Sequence, residues 1–366
     1  MRTLIAAACR SAVVPRGGAF AALELPALAA PVIAALLRQA GLRAEAVDEV
    51  IVSNAIGPGG NPARSVALAA GLPERIAGLT LDRQCAGGMD AVLLARQMIL
   101  AGDAEAVIAG GVESFSRQPL RLRTFADGRA PEAYAQAPFT PWPERDPEMA
   151  EAAQALAERL GISRARQDAW AVESHRKALA HPPGRAELVT IEGVGHDPFA
   201  RPLDSRLCQR ARKVAGDITG ANMAVAADGA AFCLVISETL ARRSGRKHVA
   251  LLGGATVGGD PTCPGLAPVA AIGAAMDRTG VRTGDVTTAE IMEAFAVQAI
   301  ACVEGAGLDP GIVNPGGGAL ARGHPIGASG AVNVVRLCHD LPARGGIGLA
   351  AIAAAGGIGT ALILEA

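Results

Sequence analysis

Cys85 is the residue of this chain whose surroundings are most typical of a nucleophile. It follows a short apolar run at 79–81, which indicates the end of a strand, and precedes a long apolar stretch from Met89 that predicts a helix. At a helix N-terminus, the helix dipole and the free backbone N–H groups favour thiolate over thiol. Gly87 and Gly88 would let a ligand approach the sulfur closely. The sequence therefore predicts a reactive thiol at Cys85.

His324 is the residue best suited to act as a base for that thiol. It lies in a stretch from Asn314 to Gly330 that contains six glycines, which indicates a tightly packed loop rather than a solvated one. An imidazole beside a thiol keeps the thiolate available at neutral pH. A cysteine paired with a histidine is suited to forming and breaking thioesters.

An internal duplication indicates how these two residues are brought together. Residues 34–52 read as a helix followed by a strand, and residues 274–292 repeat that pattern. Each half alternates apolar strands with helices, which predicts a mainly parallel sheet covered on both faces. Because Cys85 and His324 each precede a central helix of their half, the duplication predicts one shared site between the halves.

Composition excludes several classes of function. The chain has 366 residues, of which 50% are hydrophobic and 3% aromatic, and its 45 glycines suit a large core of small side chains. A net charge of −1 gives no reason to expect nucleic acid or an anionic membrane as a partner. Seven cysteines without a CxxC pair argue against a disulfide framework or a metal site, and they fit the reducing cytoplasm.

One uncharged stretch, Gly345–Leu364, is about as long as a membrane span. Its six glycines make it weakly hydrophobic, and a central glycine pair divides it into two short runs. We therefore expect two adjacent buried strands there. The first ten residues hold too short an apolar run for a signal peptide, so we expect a cytoplasmic protein.

The motifs around Cys85 and His324 resemble the two signatures of the thiolases, the enzymes that make or break 3-ketoacyl-CoA. The resemblance implies a thiolase-like α/β fold with five layers, αβαβα, built from two duplicated halves and an inserted loop domain. Further matches follow in family order and cover essentially the whole chain: Gly60–Arg64, Gly110–Ser116, Met149–Ala157, Ile162–Ala171, Asp228–Ala231 and Glu293–Phe295.

The resemblance also implies the domain boundaries. Residues 1–115 would form the N-terminal half, with a return strand at about 216–240, and residues 241–366 would form the C-terminal half. Residues 116–215 would form the loop domain that covers the active site and binds CoA, with helices at Glu148–Leu160 and Arg164–Ala180. Without the resemblance, we would interpret that segment as a surface insertion.

Roles for individual residues follow by matching the family motifs. In a thiolase, one cysteine takes the acyl group, a histidine accepts its proton, and a second cysteine moves a proton at the carbon next to the thioester. Cys85 and His324 match the first two roles, and the backbone N–H groups of Cys85 and Ala355 match an oxyanion hole. The positions matched to substrate and CoA binding are Met149, Ala224, Gly253, Met292 and Phe295.

The second catalytic cysteine is missing. Ala353 stands at its place in the closing motif, and Ala294 stands where the sterol-carrier-protein-linked branch of the family carries it. Met292 replaces an asparagine that holds a water in most thiolases, and a thioether cannot replace that amide. Glu293 is a candidate replacement base, although a structural carboxylate is the alternative interpretation, and Cys263 is a weaker candidate.

Three hypotheses therefore remain open. The first is a CoA-thioester acyltransferase that forms or cleaves 3-ketoacyl-CoA through Cys85. The second is acyl transfer from Cys85 to a different acceptor, or a condensation driven by loss of CO2, which needs no second cysteine. The third is a non-catalytic protein that binds acyl-CoA. For each we expect a CoA thioester as ligand, no covalently bound cofactor, and a homodimer or a tetramer.

Overall fold

The structure is a computed structural model that describes residues 2–366. Its strands are β1 (Thr3–Ser11), β2 (Val14–Pro15), β3 (Glu49–Ser53), β4 (Leu79–Leu81), β5 (Ala106–Ser114), β6 (Arg121–Arg123), β7 (Glu132–Tyr134), β8 (Leu188–Val189), β9 (Lys213–Ala215), β10 (Ile218–Thr219), β11 (Ala227–Ser237), β12 (Val249–Gly258), β13 (Val286–Ile291), β14 (Ile347–Ala354) and β15 (Ile358–Glu365). Its α-helices are α1 (Leu25–Ala40), α2 (Pro62–Ala69), α3 (Gly87–Ala101), α4 (Met149–Leu160), α5 (Arg164–Ala180), α6 (Ser205–Arg210), α7 (Glu238–Ser244), α8 (Ala267–Thr279), α9 (Ala296–Gly305), α10 (Ala319–Arg322) and α11 (Ile326–Arg344).

The main sheet has two related halves. Its strand order is β4-β3-β5-β11-β1 in the N-terminal half and β12-β15-β14-β13 in the C-terminal half. The halves join through three residue pairs between β1 and β12, from Thr3 opposite Leu251 to Ile5 opposite Val249. In each half one strand, β11 or β15, runs against the others. The prediction that each half contains a mainly parallel sheet is therefore confirmed.

The layers follow from the alternation of side chains along each strand. On β11, Ala231, Cys233 and Val235 pack into the central core with α3 and α11, whereas Phe232 and Leu234 pack on the other face with α1. Helices α3 and α11 contact both halves of the sheet, and α8 packs on the outer face of β12, β14 and β15. The predicted five-layer α/β architecture is confirmed.

Helices α3 and α11 cross at two glycines. A Cβ atom on Gly88 would lie 2.7 Å from the backbone nitrogen of Ala331, and one on Gly330 would lie 2.6 Å from the backbone nitrogen of Met89. Both distances are too short for any side chain, so only glycine permits this approach of the two backbones. The crossing fixes the N-terminal ends of the two central helices against each other.

Two predictions about local structure are confirmed. The predicted helices of the segment 116–215 are α4 and α5, and the side-chain oxygen of Ser163 caps α5 by accepting a hydrogen bond from the backbone N–H of Arg166. The uncharged stretch Gly345–Leu364 forms the adjacent strands β14 and β15. Within residues 2–366 no helix is both long and apolar enough to span a membrane. The proposed domain boundaries remain a prediction.

Candidate active site

A cavity of about 660 Å³ opens where the two halves and the segment 116–215 meet. Most of its lining is apolar, and α4 contributes one wall through Met149 and Leu156. Six of the residues predicted to act in catalysis or in substrate and CoA binding line this cavity: Cys85, Met149, Ala224, Phe295, His324 and Ala355.

Cys85 and His324 lie together in this cavity. Cys85 sits in a short turn after β4, two residues before α3 begins, and His324 sits two residues before α11. The Sγ atom of Cys85 is 3.2 Å from Nε2 of His324. Because α3 and α11 cross at their glycines, the fold brings the two side chains together from residues 239 positions apart.

Ser329 determines which nitrogen of His324 faces the thiol. Its Oγ lies 2.6 Å from Nδ1 of His324 and donates its single proton to the carbonyl oxygen of Pro325, 3.0 Å away. The hydroxyl must therefore accept a hydrogen bond from Nδ1–H, which leaves Nε2 unprotonated and facing Sγ. Ser329 was not predicted from the sequence, although its place in the first turn of α11, within the histidine motif, was a signal.

Burial favours the neutral forms of the Cys85 thiol and the His324 imidazole. Burial raises the pKa of the Cys85 thiol to about 12; its own backbone N–H partly opposes this effect, and nearby Glu113 and Asp82 add to it. Burial lowers the pKa of His324 to about 4. Desolvation at Cys85 therefore opposes the helix N-terminus that the sequence predicted to favour thiolate. Nε2 of His324, 3.2 Å from Sγ, is placed to accept the thiol proton.

We expect the rate of Cys85 acylation to be nearly independent of pH between about pH 5 and pH 9. Across that interval His324 stays unprotonated and the thiol stays neutral, since their pKa values are about 4 and about 12. The rate should fall only as acid protonates His324. Rapid-quench acylation by acetyl-CoA across this pH range measures it, and a rise with a midpoint near pH 8.5, as for a free thiol, would contradict a neutral pair.

The positions of the missing second cysteine also face the cavity. Ala353 and Ala294 both line it, and neither side chain can carry a proton. The ionisable side chains in the cavity lining are Asp82, Cys85, Arg121 and His324. Of these side chains, the His324 imidazole lies against the thiol.

Glu293 does not line the cavity, which corrects the expectation of a replacement base there. Its carboxylate is 1% exposed and accepts hydrogen bonds from the side chains of Trp170 (2.9 Å), Ser174 (2.7 Å) and Asn314 (3.0 Å) and from the backbone of Leu320 (3.3 Å). The carboxylate therefore joins α5 to the start of the histidine motif. This contact set matches the alternative interpretation, a structural carboxylate.

We expect Glu293→Ala to lower the free energy of unfolding by about 3 kcal/mol, because it leaves several buried donors without an acceptor. Urea denaturation followed by tryptophan fluorescence measures the loss. Glu293→Gln is the matched control and should lose less, since it keeps one acceptor oxygen. If Glu293→Ala is as stable as the parent but cannot transfer acyl groups, Glu293 has a catalytic role after all.

Three other selected residues lie outside the cavity. Met292 is buried in the central core, so its side chain packs between layers and does not face a ligand. Gly253 lies within β12, where a Cβ atom would meet Thr279 of α8 at 3.0 Å, so close packing explains the glycine. Cys263 contacts Arg159 at 3.7 Å, away from the lining. Within residues 2–366 no group of three or more His, Cys, Asp or Glu side chains is arranged to hold a metal ion.

Comparison with known proteins decides the family. The thiolase N-terminal domain matches residues 3–239 and the thiolase C-terminal domain matches residues 246–366. The chain belongs to the thiolase family. This thiolase is accordingly an acyltransferase of the EC 2.3.1 class.

Relatives of this thiolase match it over nearly its whole length. An acetyl-CoA acetyltransferase of Cupriavidus necator is 38% identical over 387 aligned positions, which cover 99% of this chain and 98% of that protein. An acetyl-CoA acetyltransferase of Pseudomonas aeruginosa is 37% identical, with coverage of 99% and 98%. The crystal structure of the Bacillus anthracis acetyl-CoA acetyltransferase superposes with a TM-score of 0.91 at 31% identity, and the match covers 100% of this chain and 98% of that one.

Proposed function

We propose that this thiolase transfers acyl groups from CoA thioesters through an acyl-enzyme on Cys85. His324 takes the thiol proton at Nε2, the sulfur attacks the acyl carbonyl, and the bond from that carbon to its leaving group breaks. The backbone N–H groups of Cys85 and Ala355 hold the negative oxygen of the tetrahedral intermediate, and the proton on His324 passes to the leaving group. The acyl group remains on Cys85 for transfer to an acceptor.

The observation that carries this proposal is the 3.2 Å distance between the sulfur of Cys85 and Nε2 of His324. Ser329 gives that nitrogen the protonation state that a base requires. Ala355 lines the same cavity, which supports its backbone as part of the oxyanion hole. The printed names of the relatives, acetyl-CoA acetyltransferases, support acetyl-CoA and acetoacetyl-CoA as the first substrates to test.

A second candidate function is supported by Ala353 and Ala294. Because both positions of the family's acid/base cysteine face the cavity as alanine, proton removal from acetyl-CoA lacks its usual base. Transfer of the acyl group to another acceptor avoids that step. A condensation that begins with loss of CO2 also avoids it, since decarboxylation itself creates the carbanion.

Intact-protein mass spectrometry after mixing with acetyl-CoA or acetoacetyl-CoA, with CoA species followed in parallel, tests these candidates. We expect an acyl adduct in the parent and none in Cys85→Ala. Cleavage of acetoacetyl-CoA by added CoA supports the thiolase reaction, whereas an adduct without cleavage supports the second candidate. The absence of any adduct would overturn acyl transfer in favour of a non-catalytic protein that binds acyl-CoA.

We also propose that the protein is a homodimer in the cytoplasm. Strand β4 forms an edge of the main sheet, and the side chain of Leu79 on it is 44% exposed, which suits pairing with a second copy. Light scattering coupled to size exclusion separates a dimer from a monomer or a tetramer.

A further inference from the structure

Arg322 is a buried cation that the mechanism above does not use. It is the last residue of α10, two positions before His324, and its side chain is 4% exposed. Burying a charge is costly unless it is paired and hydrogen-bonded, and an apolar side chain often serves stability equally well. A buried guanidinium directly before the histidine therefore indicates a role beyond filling the core.

The guanidinium of Arg322 turns back onto the loop that precedes α10. Its Nη1 donates hydrogen bonds to the backbone carbonyl oxygens of Gly317 and, at 3.4 Å, of Gly316. These bonds close residues 316–322 into a ring. Because α10 has only four residues, its own hydrogen bonds are too few to hold it, and the ring supplies the missing support.

The carboxyl group beside Arg322 is a weaker partner than these carbonyl oxygens. Oε2 of Glu290 on β13 lies 3.8 Å from Nη2 of Arg322, beyond hydrogen-bond range, and Oε1 makes no hydrogen bond. Burial raises the pKa of Glu290 to about 8, although Arg322 and Arg336 oppose this effect. Near pH 7 the carboxyl group is therefore largely neutral, and the two carbonyl oxygens are the groups that hold Arg322.

The backbone between Arg322 and His324 follows one fixed turn. Gly323 has a φ of +112°, a conformation that residues with a side chain rarely adopt. Its N–H donates to the carbonyl oxygen of Ala319 at 2.7 Å, and the N–H of His324 donates to the carbonyl oxygen of Val225 at 2.8 Å. His324 thus leaves the ring in a direction that the ring itself determines.

The reaction depends on that direction. Nε2 of His324 lies 3.2 Å from Sγ of Cys85, and a displacement of about 1 Å at such a pair can cost about 10²-fold in rate. Ser329 bonds to Nδ1 and determines the tautomer of the ring. It does not hold the backbone that carries the ring, whereas the bonds of Arg322 close the loop immediately before that backbone.

We propose that Arg322 is a positioning residue for the base: its guanidinium closes residues 316–322 into a ring and so holds Nε2 of His324 against Sγ of Cys85. This inference rests on the proposed function, in which His324 accepts the thiol proton. Arg322 does not line the cavity, so it acts through His324 rather than on the substrate.

Alkylation of Cys85 by iodoacetamide is the first test, because it reports on the thiol and its base without a thioester. The sulfur forms a bond to the CH2 carbon, iodide leaves, and the thiol proton passes to Nε2. Mass spectrometry of the peptide that contains Cys85 measures the rate. We expect Arg322→Met, which has an apolar chain and no donor, to slow alkylation at pH 7 by about 10- to 10²-fold. Glu290→Gln is the matched control and should react like the parent, since the bonds to the carbonyl oxygens remain.

A double-mutant cycle separates positioning from a general loss of structure. In His324→Ala with added imidazole, the base is no longer attached to the backbone, so we expect Arg322→Met to cause no further loss of alkylation rate. An equal loss with and without His324 would overturn the proposal, as would a parent-like rate in Arg322→Met with His324 intact. If Arg322→Met does not fold, Arg322→Lys enters the same cycle: a loss confined to proteins with His324 supports the proposal, and an equal loss in both backgrounds, or no loss, overturns it.

The two proposals fail separately. If the parent forms no acyl adduct with either thioester, the proposed function fails, while the alkylation cycle still tests the link between Arg322 and His324. If the parent forms the adduct and Arg322→Met forms it at the same rate, only the role of Arg322 is overturned.

Discussion

Ala353→Cys is expected to raise the rate of acetoacetyl-CoA cleavage by about 10²- to 10⁴-fold. A positioned general acid or base contributes about that much to a proton transfer, and Ala353 lines the same cavity as Cys85 and His324. The new thiol would have room, because the side chain of Ala353 faces the cavity rather than the packed core. Release of acetyl-CoA from acetoacetyl-CoA and CoA measures the gain.

Ala353→Ser is the matched control for this gain. A hydroxyl has nearly the size of a thiol but is a far weaker acid, so we expect little increase. The double variant Cys85→Ala with Ala353→Cys should remain inactive, which excludes attack by the new thiol. If Ala353→Cys leaves the parent rate unchanged, proton transfer is not the limiting deficit, and a route through His324 alone already serves the reaction.

His324→Ala is expected to slow the formation of the acyl-enzyme by about 10²- to 10⁴-fold. A thiol with a pKa of about 12 is ionised to only about one part in 10⁴ to 10⁵ near neutral pH, so attack depends on proton transfer to Nε2. Rapid-quench mass spectrometry of the acetyl adduct on Cys85 measures the rate. Added imidazole should restore part of it by occupying the space that the side chain leaves.

Ser329→Ala separates positioning from base catalysis. It removes the partner of Nδ1 but keeps the imidazole, so the wrong tautomer becomes accessible and we expect a loss of about tenfold. Imidazole should not rescue this variant.

A His324→Ala protein that acylates Cys85 at the parent rate would show that the thiol ionises without a base, in conflict with its raised pKa.

The sequence predicted most of the fold because the signals were local. Family motif matches indicated α4 and α5, and the central glycine pair separated β14 from β15. Motif matching also selected Cys85 and His324, which the structure places 3.2 Å apart. These predictions rest on residues that are close in sequence or that carry a family signature.

The rest of the site depends on burial and on partners far along the chain. The helix N-terminus at Cys85 was visible in the sequence, but the desolvation that outweighs it was not. The contacts of Glu293 come from residues more than 100 positions earlier and about 20 later.

The crossing of α3 and α11 sets the separation of Cys85 and His324 through contacts between backbone atoms. Gly88 and Gly330 bring two main chains into direct contact, so backbone atoms and not interchangeable side chains hold the two helix ends in place. A larger side chain at Gly88 or Gly330 would push these helix ends, and with them the sulfur and the imidazole, apart. Cys85 lies in the N-terminal half and His324 in the C-terminal half, so either half expressed alone would contain only one member of the pair. The reaction centre therefore lies between the two halves and is complete only when both halves are present.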